Sequence, residues 1–208
     1  MSLKTNDGKL IVISGSSRCG KTAKTLQLAE KHKNVFVWDI EAQWCTQRGF
    51  KKITSLTELK KIAVTGRVGK YAFVSGGNLK AEFEQFCKCV YHFGCYFGGC
   101  AIIAEELADV TTTAKAPPSW GILCRRGLKR GITIYPISQR WAEADKTAIG
   151  NATDFYIFRQ STTSDAKYME QKTGVDWIGI SNLKPLQYIH YDTFTKKMTR
   201  SALIFKND

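Results

Sequence analysis

At 208 residues and a net charge of +13, the chain has room for one α/β domain and carries a field that favours a polyanion, nucleic acid before an acidic membrane surface. No stretch approaches the ~20 apolar residues of a membrane span. Seven cysteines without a C-x-x-C pair, and no secretory leader before the first apolar run, argue against a disulfide-stapled, zinc-ribbon or exported protein and for an intracellular one.

The first predicted strand, Leu10–Ser14, runs into Gly15-Ser16-Ser17-Arg18-Cys19-Gly20-Lys21-Thr22, and a helix-like stretch follows from Ala23 to His32. This is G-x-x-x-x-G-K-[ST] between a buried strand and a helix, the context a phosphate-binding loop requires. The glycines let the backbone curl so that successive N–H groups turn inward on phosphate oxygens. The helix N-terminus behind them adds partial positive charge. Lys21 can reach the β- and γ-phosphates, and the Thr22 hydroxyl can ligate Mg²⁺. ATP with Mg²⁺ is the expected ligand. Cys19 lies inside the loop, where a lowered thiol pKa would make it oxidisable; an inert filler is the plainer expectation.

A second strand, Val35–Trp38, ends in Asp39-Ile40-Glu41-Ala42-Gln43-Trp44, and a third is expected at Tyr71–Val74. Phe83, Phe86, Cys87, Val90, Phe93 and Phe97 recur at three- and four-residue steps. They predict a helix over Leu79–Phe97 with an aromatic core face, ended by Gly98-Gly99. The next strand, Cys100–Ala104, is wholly apolar and ends in Glu105-Glu106. Such strands belong to parallel sheets, which carry function at their carboxyl ends. Beside a bound triphosphate two tasks need a carboxylate: holding Mg²⁺ and orienting the attacking water. Glu105 is assigned to the metal, directly or through water, and Glu106 to the attacking water. A solvated Glu pair at a helix start is the bland alternative.

Thr111–Ser119, with two prolines and small polar residues, is expected to be an exposed, mobile loop. From Trp120 to Arg130, helical spacing groups Trp120, Leu123, Cys124 and Leu128 on one arc and Arg125, Arg126, Lys129 and Arg130 on the other. The basic arc is either a solvated face or, in a ring assembly, the source of an arginine for the neighbouring subunit's nucleotide. A strand at Ile132–Ile137 leads into Ser138-Gln139-Arg140. Gln139 can hydrogen-bond both a γ-phosphate and its attacking water without adding charge. After a strand at Asp154–Phe158, the segments Leu186–Tyr191 and Met198–Phe205 flank a polar turn and predict a terminal antiparallel hairpin. The βαβ rhythm predicts an α/β fold: a mainly parallel sheet, helices on both faces and a C-terminal β-hairpin.

Taken together, these residues resemble the FtsK–HerA superfamily of DNA-translocating ATPases, and within it the genome-packaging ATPases of tailless icosahedral, membrane-containing viruses. The resemblance covers roughly residues 8 to 160. It rests on Gly15–Thr22, Ala101–Glu106, Arg125-Arg126-Gly127-Leu128-Lys129-Arg130-Gly131 and Ser138-Gln139-Arg140. The Asp39–Trp44 segment is similar to the acidic-aromatic motif that often follows the second strand. Glu105 stands where Asp is usual, Ser138 where Thr is, and Trp141 where Pro often follows the Arg.

This resemblance implies a P-loop NTPase fold of the RecA/ASCE-like kind, one ATPase domain over 1–208 with its core at about 8–160 and a β-containing extension at about 161–208. It implies an ATP-hydrolysing double-stranded DNA translocase that packages a viral genome into a preformed capsid. It implies a homo-oligomeric ring, a hexamer, with Arg125, Arg126 or Arg130 acting across subunits. Capsid or membrane-vertex proteins are further partners, and the host cytoplasm or the virion is the implied location. Lys115 and the basic first third are candidates for DNA contact; residues 1–70 hold 14 Lys and Arg against 5 Asp and Glu.

Two other readings share the phosphate loop. Nucleoside-type kinases are P-loop proteins of this size, and the Thr111–Ser119 loop with Arg125 and Arg126 could imitate their lid. The paired Glu105-Glu106 and Gln139 speak against a kinase. Phage morphogenesis ATPases resemble the same superfamily but generally carry a membrane span. A GTPase switch is disfavoured because no Asn-Lys-x-Asp motif occurs.

Overall fold

Nine strands join into one sheet in the computed structural model, which describes residues 7–205. Lys4 of the basic first third, and the outermost ends of the 1–208 span, fall outside the described residues. In chain order the strands are β1 Ile11–Ser14, β2 Asn34–Trp38, β3 Phe50–Ile53, β4 Lys70–Phe73, β5 Cys100–Ala104, β6 Ile132–Ser138, β7 Asp154–Phe158, β8 Gln187–Asp192 and β9 Met198–Ala202. The helices are α1 Lys21–Ala29, α2 Leu56–Thr65, α3 Leu79–Phe97, α4 Leu107–Val110, α5 Pro118–Arg126, α6 Lys146–Gly150, α7 Thr163–Thr173 and α8 Trp177–Ser181. Short 3-10 turns lie at Trp44–Thr46 and Leu128–Arg130.

The sheet order is β3-β4-β2-β5-β6-β1-β7-β8-β9. The first seven strands of that order are mutually parallel, and β8 and β9 add antiparallel as the expected terminal hairpin. The fold is α/β with a mainly parallel sheet, as expected.

Alternation along the central strands builds the core on two sides, because successive strand residues point to opposite faces. Leu10, Val12, Phe36, Trp38, Ile102 and Ile134 are buried on one face, while Ile11, Ile13, Val35, Val37, Ile103 and Ile137 are buried on the other. The expectation of helices on both faces is met unevenly. Buried residues of α2, α3, α4, α5, α6, α7 and α8 all join the first face. The second is covered by α1, by Trp44 and by Leu186 and Leu203 around the terminal hairpin.

Several expected elements change at their ends or in kind. The helix predicted over Trp120–Arg130 stops at Arg126, and Gly127 turns into the 3-10 segment. A Cβ on Gly127 would sit 2.5 Å from the Leu123 carbonyl oxygen, and the Gly127 carbonyl accepts from Ile132 N–H (3.1 Å) as the chain re-enters the sheet. The expected loop Thr111–Ser119 is exposed from Thr112 to Lys115 and again at Pro118, with Ala116 and Pro117 half-buried between them. Its ends are tied down: Thr111 Oγ1 accepts from Asp145 N–H (3.1 Å), and the Ser119 hydroxyl donates to Glu84 (2.6 Å). All seven cysteines are free, five of them buried, consistent with small core hydrophobes.

The aromatic face of α3 closes the largest part of the core. Trp38, Phe73, Phe83 and Phe86 stack or meet edge-on, with centroids 5.2–6.5 Å apart. Phe86→Ala should therefore cost about 3–5 kcal/mol in urea unfolding. Tyr96→Ala on the same helix, at a position 59% exposed, should change stability by no more than about 0.5 kcal/mol. Equal losses at both positions would contradict this packing.

Candidate active site

β1 delivers the chain to a loop that only glycine can build at two points. At Gly15 a Cβ would lie 2.6 Å from Phe158 Cβ of neighbouring β7 and 2.8 Å from Cys19 Sγ. Gly20 adopts φ 112° and a Cβ there would meet Leu203 at 2.6 Å. Between them Ser16 N–H donates to the Arg159 carbonyl (2.8 Å), pinning the loop to the end of β7. Lys21 opens α1 and is buried. Its Nζ donates to the Gly15 and Ser16 carbonyl oxygens (2.9 and 2.7 Å), which hold the ammonium across the mouth of the loop. Cys19 is buried beneath the loop, and burial raises its thiol pKa despite the nearby Lys21 charge. The oxidisable reading of Cys19 therefore loses its physical basis, and the inert filler stands.

β5 ends level with β2 and one strand away from β1. Glu105 follows it directly and is 8% exposed. Burial pushes its carboxyl pKa up to about 7, and the nearby Asp39, Glu106 and Glu41 charges add to the rise. The Trp44 indole N–H acts in the opposite sense, without closing a hydrogen bond of good geometry. Glu106 adopts a left-handed backbone, φ 44° and ψ 58°, a conformation that costs a non-glycine residue about 1–2 kcal/mol. This strained turn aims Glu106 at the next strand end, where Gln139 Nε2 donates to its Oε1 (3.1 Å).

These groups meet in one cleft of about 340 Å³, lined by Ser17, Arg18, Lys21, Thr22, Glu41, Gln43, Glu105, Glu106, Ile137 and Gln139. Most of the expected cofactor and catalytic residues thus come together, with Gly15, Ser16, Cys19 and Gly20 forming the loop behind them. Glu41 and Gln43 were not assigned a role from the sequence. They are there because β2 pairs with β5 in the register Trp38↔Ala104, so the segment after Trp38 runs beside Glu105. Buried Asp39 shapes that segment by accepting from Gln43 and Cys45 N–H (both 2.9 Å), and Gln43 Nε2 donates to Glu41 (2.8 Å). The signal available in the sequence was Asp39-Ile40-Glu41-Ala42-Gln43-Trp44 at a strand's carboxyl end.

The basic arc is elsewhere. Arg125, Arg126 and Arg130 precede β6, whereas Gln139 follows it, and the seven residues of β6 span roughly 20 Å. No arginine of the arc can reach the cleft of its own chain. The Arg125 guanidinium folds back over Gly121, and Arg130 lines a groove between α3 and α5 with Tyr91, His92 and Tyr96. This placement removes Arg125 and Arg126 as lid arginines of a kinase. Arg140, itself exposed, pairs instead with exposed Glu143 and approaches buried Asp165 (4.0 Å). Trp141, where Pro was expected, is buried and donates to the Ile13 carbonyl (3.3 Å), tying the end of β6 to β1.

Among the described residues no cluster of three His, Cys, Asp or Glu side chains forms a metal cage. A nucleotide-bound Mg²⁺ needs none, since phosphate oxygens and water supply most of its ligands. The Thr22 hydroxyl and the carboxylates in the cleft are hard oxygen donors of the right class. Among the described residues no helix is long and apolar enough to cross a membrane.

No protein-family model matches the chain. It is similar to Protein P9 of Pseudoalteromonas phage PM2, 29% identical over 140 residues, which are 66% of this chain and 62% of that protein. The chain thus matches less than two thirds of the length of this relative. Its structure is similar to the genome packaging NTPase B204 of Sulfolobus turreted icosahedral virus 2 in complex with AMPPCP, with a TM-score of 0.80 at 13% identity over 96% of this chain and all of that one. It is also similar to the plasmid coupling protein TrwB in complex with GDPNP, with a TM-score of 0.65 at 10% identity over 97% of this chain and 87% of that one. The fold is that of the P-loop NTPases.

Glu105 holds a proton more tightly folded than unfolded. Its contribution to stability is complete below about 4.5 and is lost as the pH rises to about 7. In metal-free buffer Glu105→Gln should be more stable than the wild type at pH 8, by about 3 kcal/mol. The gap in urea unfolding should close towards pH 4.5. A gap independent of pH would mean that Glu105 is not the titrating group.

Proposed function

We propose that this protein is an ATP-hydrolysing motor that moves double-stranded DNA and packages a viral genome into a preformed capsid. The observation that carries the reading is the Glu106–Gln139 hydrogen bond in the cleft that also holds Lys21 and Thr22. It links a carboxylate able to activate water to an amide able to sense a γ-phosphate, across two adjacent strands. A nucleoside kinase has no use for that link.

In this reading the loop N–H groups and the N-terminus of α1 receive the β-phosphate, and Lys21 exchanges its two carbonyl partners for phosphate oxygens. Glu106 accepts a proton from the attacking water. Gln139 has a second N–H to offer the γ-phosphate while the first holds Glu106 in place. Thr22 and Glu105, the latter through water, are the groups that would hold Mg²⁺, which when bound neutralises charge on the β- and γ-phosphates. Glu41 borders the same space and is a further candidate to hold a metal-bound water.

Because the arc of Arg125, Arg126 and Arg130 lies at the opposite end of β6, it serves catalysis only by reaching a neighbour's nucleotide. That requires a homo-oligomeric ring, for which six subunits is the expected number. Exposed Lys115, beyond Glu106 on the α4–α5 connection, and the basic first third are the surfaces proposed for DNA. The net charge of +13 supports a phosphate-directed, sequence-independent contact.

Lys21→Ala should abolish ATP hydrolysis and weaken triphosphate binding. Glu106→Gln should keep binding but lose about 10²–10⁴-fold in rate. Wild-type turnover should rise with double-stranded DNA and not with nucleosides, the pattern opposite to that of a kinase. Arg125→Ala, Arg126→Ala and Arg130→Ala should be compared for ATP binding, native mass and turnover. The trans-acting residue is the one whose loss slows turnover by about 10³–10⁵-fold with binding and assembly intact. Mixing that variant with Lys21→Ala should partly restore activity. Mixed rings that stay inactive for every pairing would overturn the trans role.

A further inference from the structure

The segment leaving β9 crosses the phosphate loop. Leu203 is buried, its N–H donates to the Leu186 carbonyl (3.0 Å), and its Cδ1 lies 2.6 Å from where a Cβ of Gly20 would be. Leu186 approaches the same point at 3.2 Å. Further along α1, Gln27 Nε2 donates to the Ile204 carbonyl (3.0 Å) and Lys24 Nζ to the Tyr188 hydroxyl of β8 (3.0 Å). The tail is therefore fixed across the first two turns of the helix that carries Lys21. Ile204 and Phe205, next in the chain, are 80% and 56% exposed. Scattered apolar residues on a surface need no explanation; these two follow directly on Leu203, which packs at Gly20, and Ile204 is anchored to α1 through its carbonyl and Gln27.

Sheet order gives this position a meaning. The carboxylates and Gln139 stand at the ends of β2, β5 and β6, on one side of β1, while β7, β8 and β9 lie on the other. A triphosphate whose γ end enters the cleft of Lys21, Glu105, Glu106 and Gln139 must lead its nucleoside out on the opposite side, where the tail lies.

We propose that Leu203, Ile204 and Phe205 form the nucleoside subsite, with Phe205 as a stacking surface for the base and Ile204 beside it. The proposal rests on the reading of Gly15–Thr22 as a triphosphate loop. Stacking uses the face of the base and tolerates any base, so ATP and GTP should lose affinity together when the platform is removed.

The test titrates ATP, GTP and inorganic tripolyphosphate, each with Mg²⁺, into the full chain and into Phe205→Ala and Ile204→Ser/Phe205→Ala variants by calorimetry. Both nucleotides should bind roughly 5–150-fold more weakly to the variants, tripolyphosphate should bind unchanged, and Phe205→Trp should retain wild-type nucleotide affinity. Nucleotide affinity unchanged in both variants would overturn the proposal. So would an equal loss for nucleotide and tripolyphosphate, because the tail would then act only by bracing Gly20. A wild type that binds neither nucleotide nor tripolyphosphate would refute the phosphate loop itself, and the subsite would fall with it.

Discussion

The chemistry available to this protein depends on β6 lying between β1 and β5. Parallel pairing sets Ser14 opposite Ser138 and Ala104 opposite Pro136, so the phosphate loop, the carboxylates and Gln139 leave the sheet at nearly the same level. The Glu106–Gln139 hydrogen bond follows from that register. A slip of one residue would turn Gln139 to the other face of the sheet and break it. Trp141 and Gly15 guard the arrangement from opposite flanks: one bonds the Ile13 carbonyl, and the other admits Phe158 at close range.

Much of this was legible because buried parallel strands are written as short apolar runs, and the runs at residues 10–14, 35–38, 71–74, 100–104, 132–137 and 154–158 all became strands. The long helix over Leu79–Phe97 was legible to the residue, since its aromatic stripe is broad and Gly98 ends it. What escaped notice was weakly patterned. Strand β3 is an edge strand with Lys51 and Lys52 exposed, so it carries little apolar signal. Helix α7 buries little beyond Ala166, Met169 and Thr173, yet Thr162 caps it by accepting from Asp165 N–H and Gly174 ends it at φ 73°. Capping residues, and not periodicity, were the usable signal there.

For the site, each strand end could be read alone, but which ends are neighbours could not. The sequence places Asp39–Trp44 some sixty residues before Glu105, and nothing in its spacing says that β2 pairs with β5. Only that pairing brings Glu41, Gln43 and Trp44 to the carboxylates. The same limit applied to the arginines. Helical spacing gathered them on one arc but could not tell which end of the sheet the arc would occupy; α5 and the 3-10 segment after Gly127 end at left-handed Gly131, directly before β6.

That division of charge between the two ends of the sheet has a consequence. The cleft holds three carboxylates, Glu41, Glu105 and Glu106, against Lys21 and Arg18, and one carboxylate is so confined that its pKa rises to about 7. A triphosphate brought there adds anionic charge beside these carboxylates, even with Glu105 partly protonated near pH 7. Mg²⁺ is one source of offsetting charge beyond Lys21 and Arg18. The arginines of the same chain are separated from the cleft by the length of β6, and under the proposed function they would act on a neighbour's nucleotide. In the proposed assembly an acidic mouth at one end and a basic arc at the other would meet between copies, head to tail, and a head-to-tail contact that closes on itself is a ring. In such a ring each cleft would become catalytically complete only when its neighbour docks.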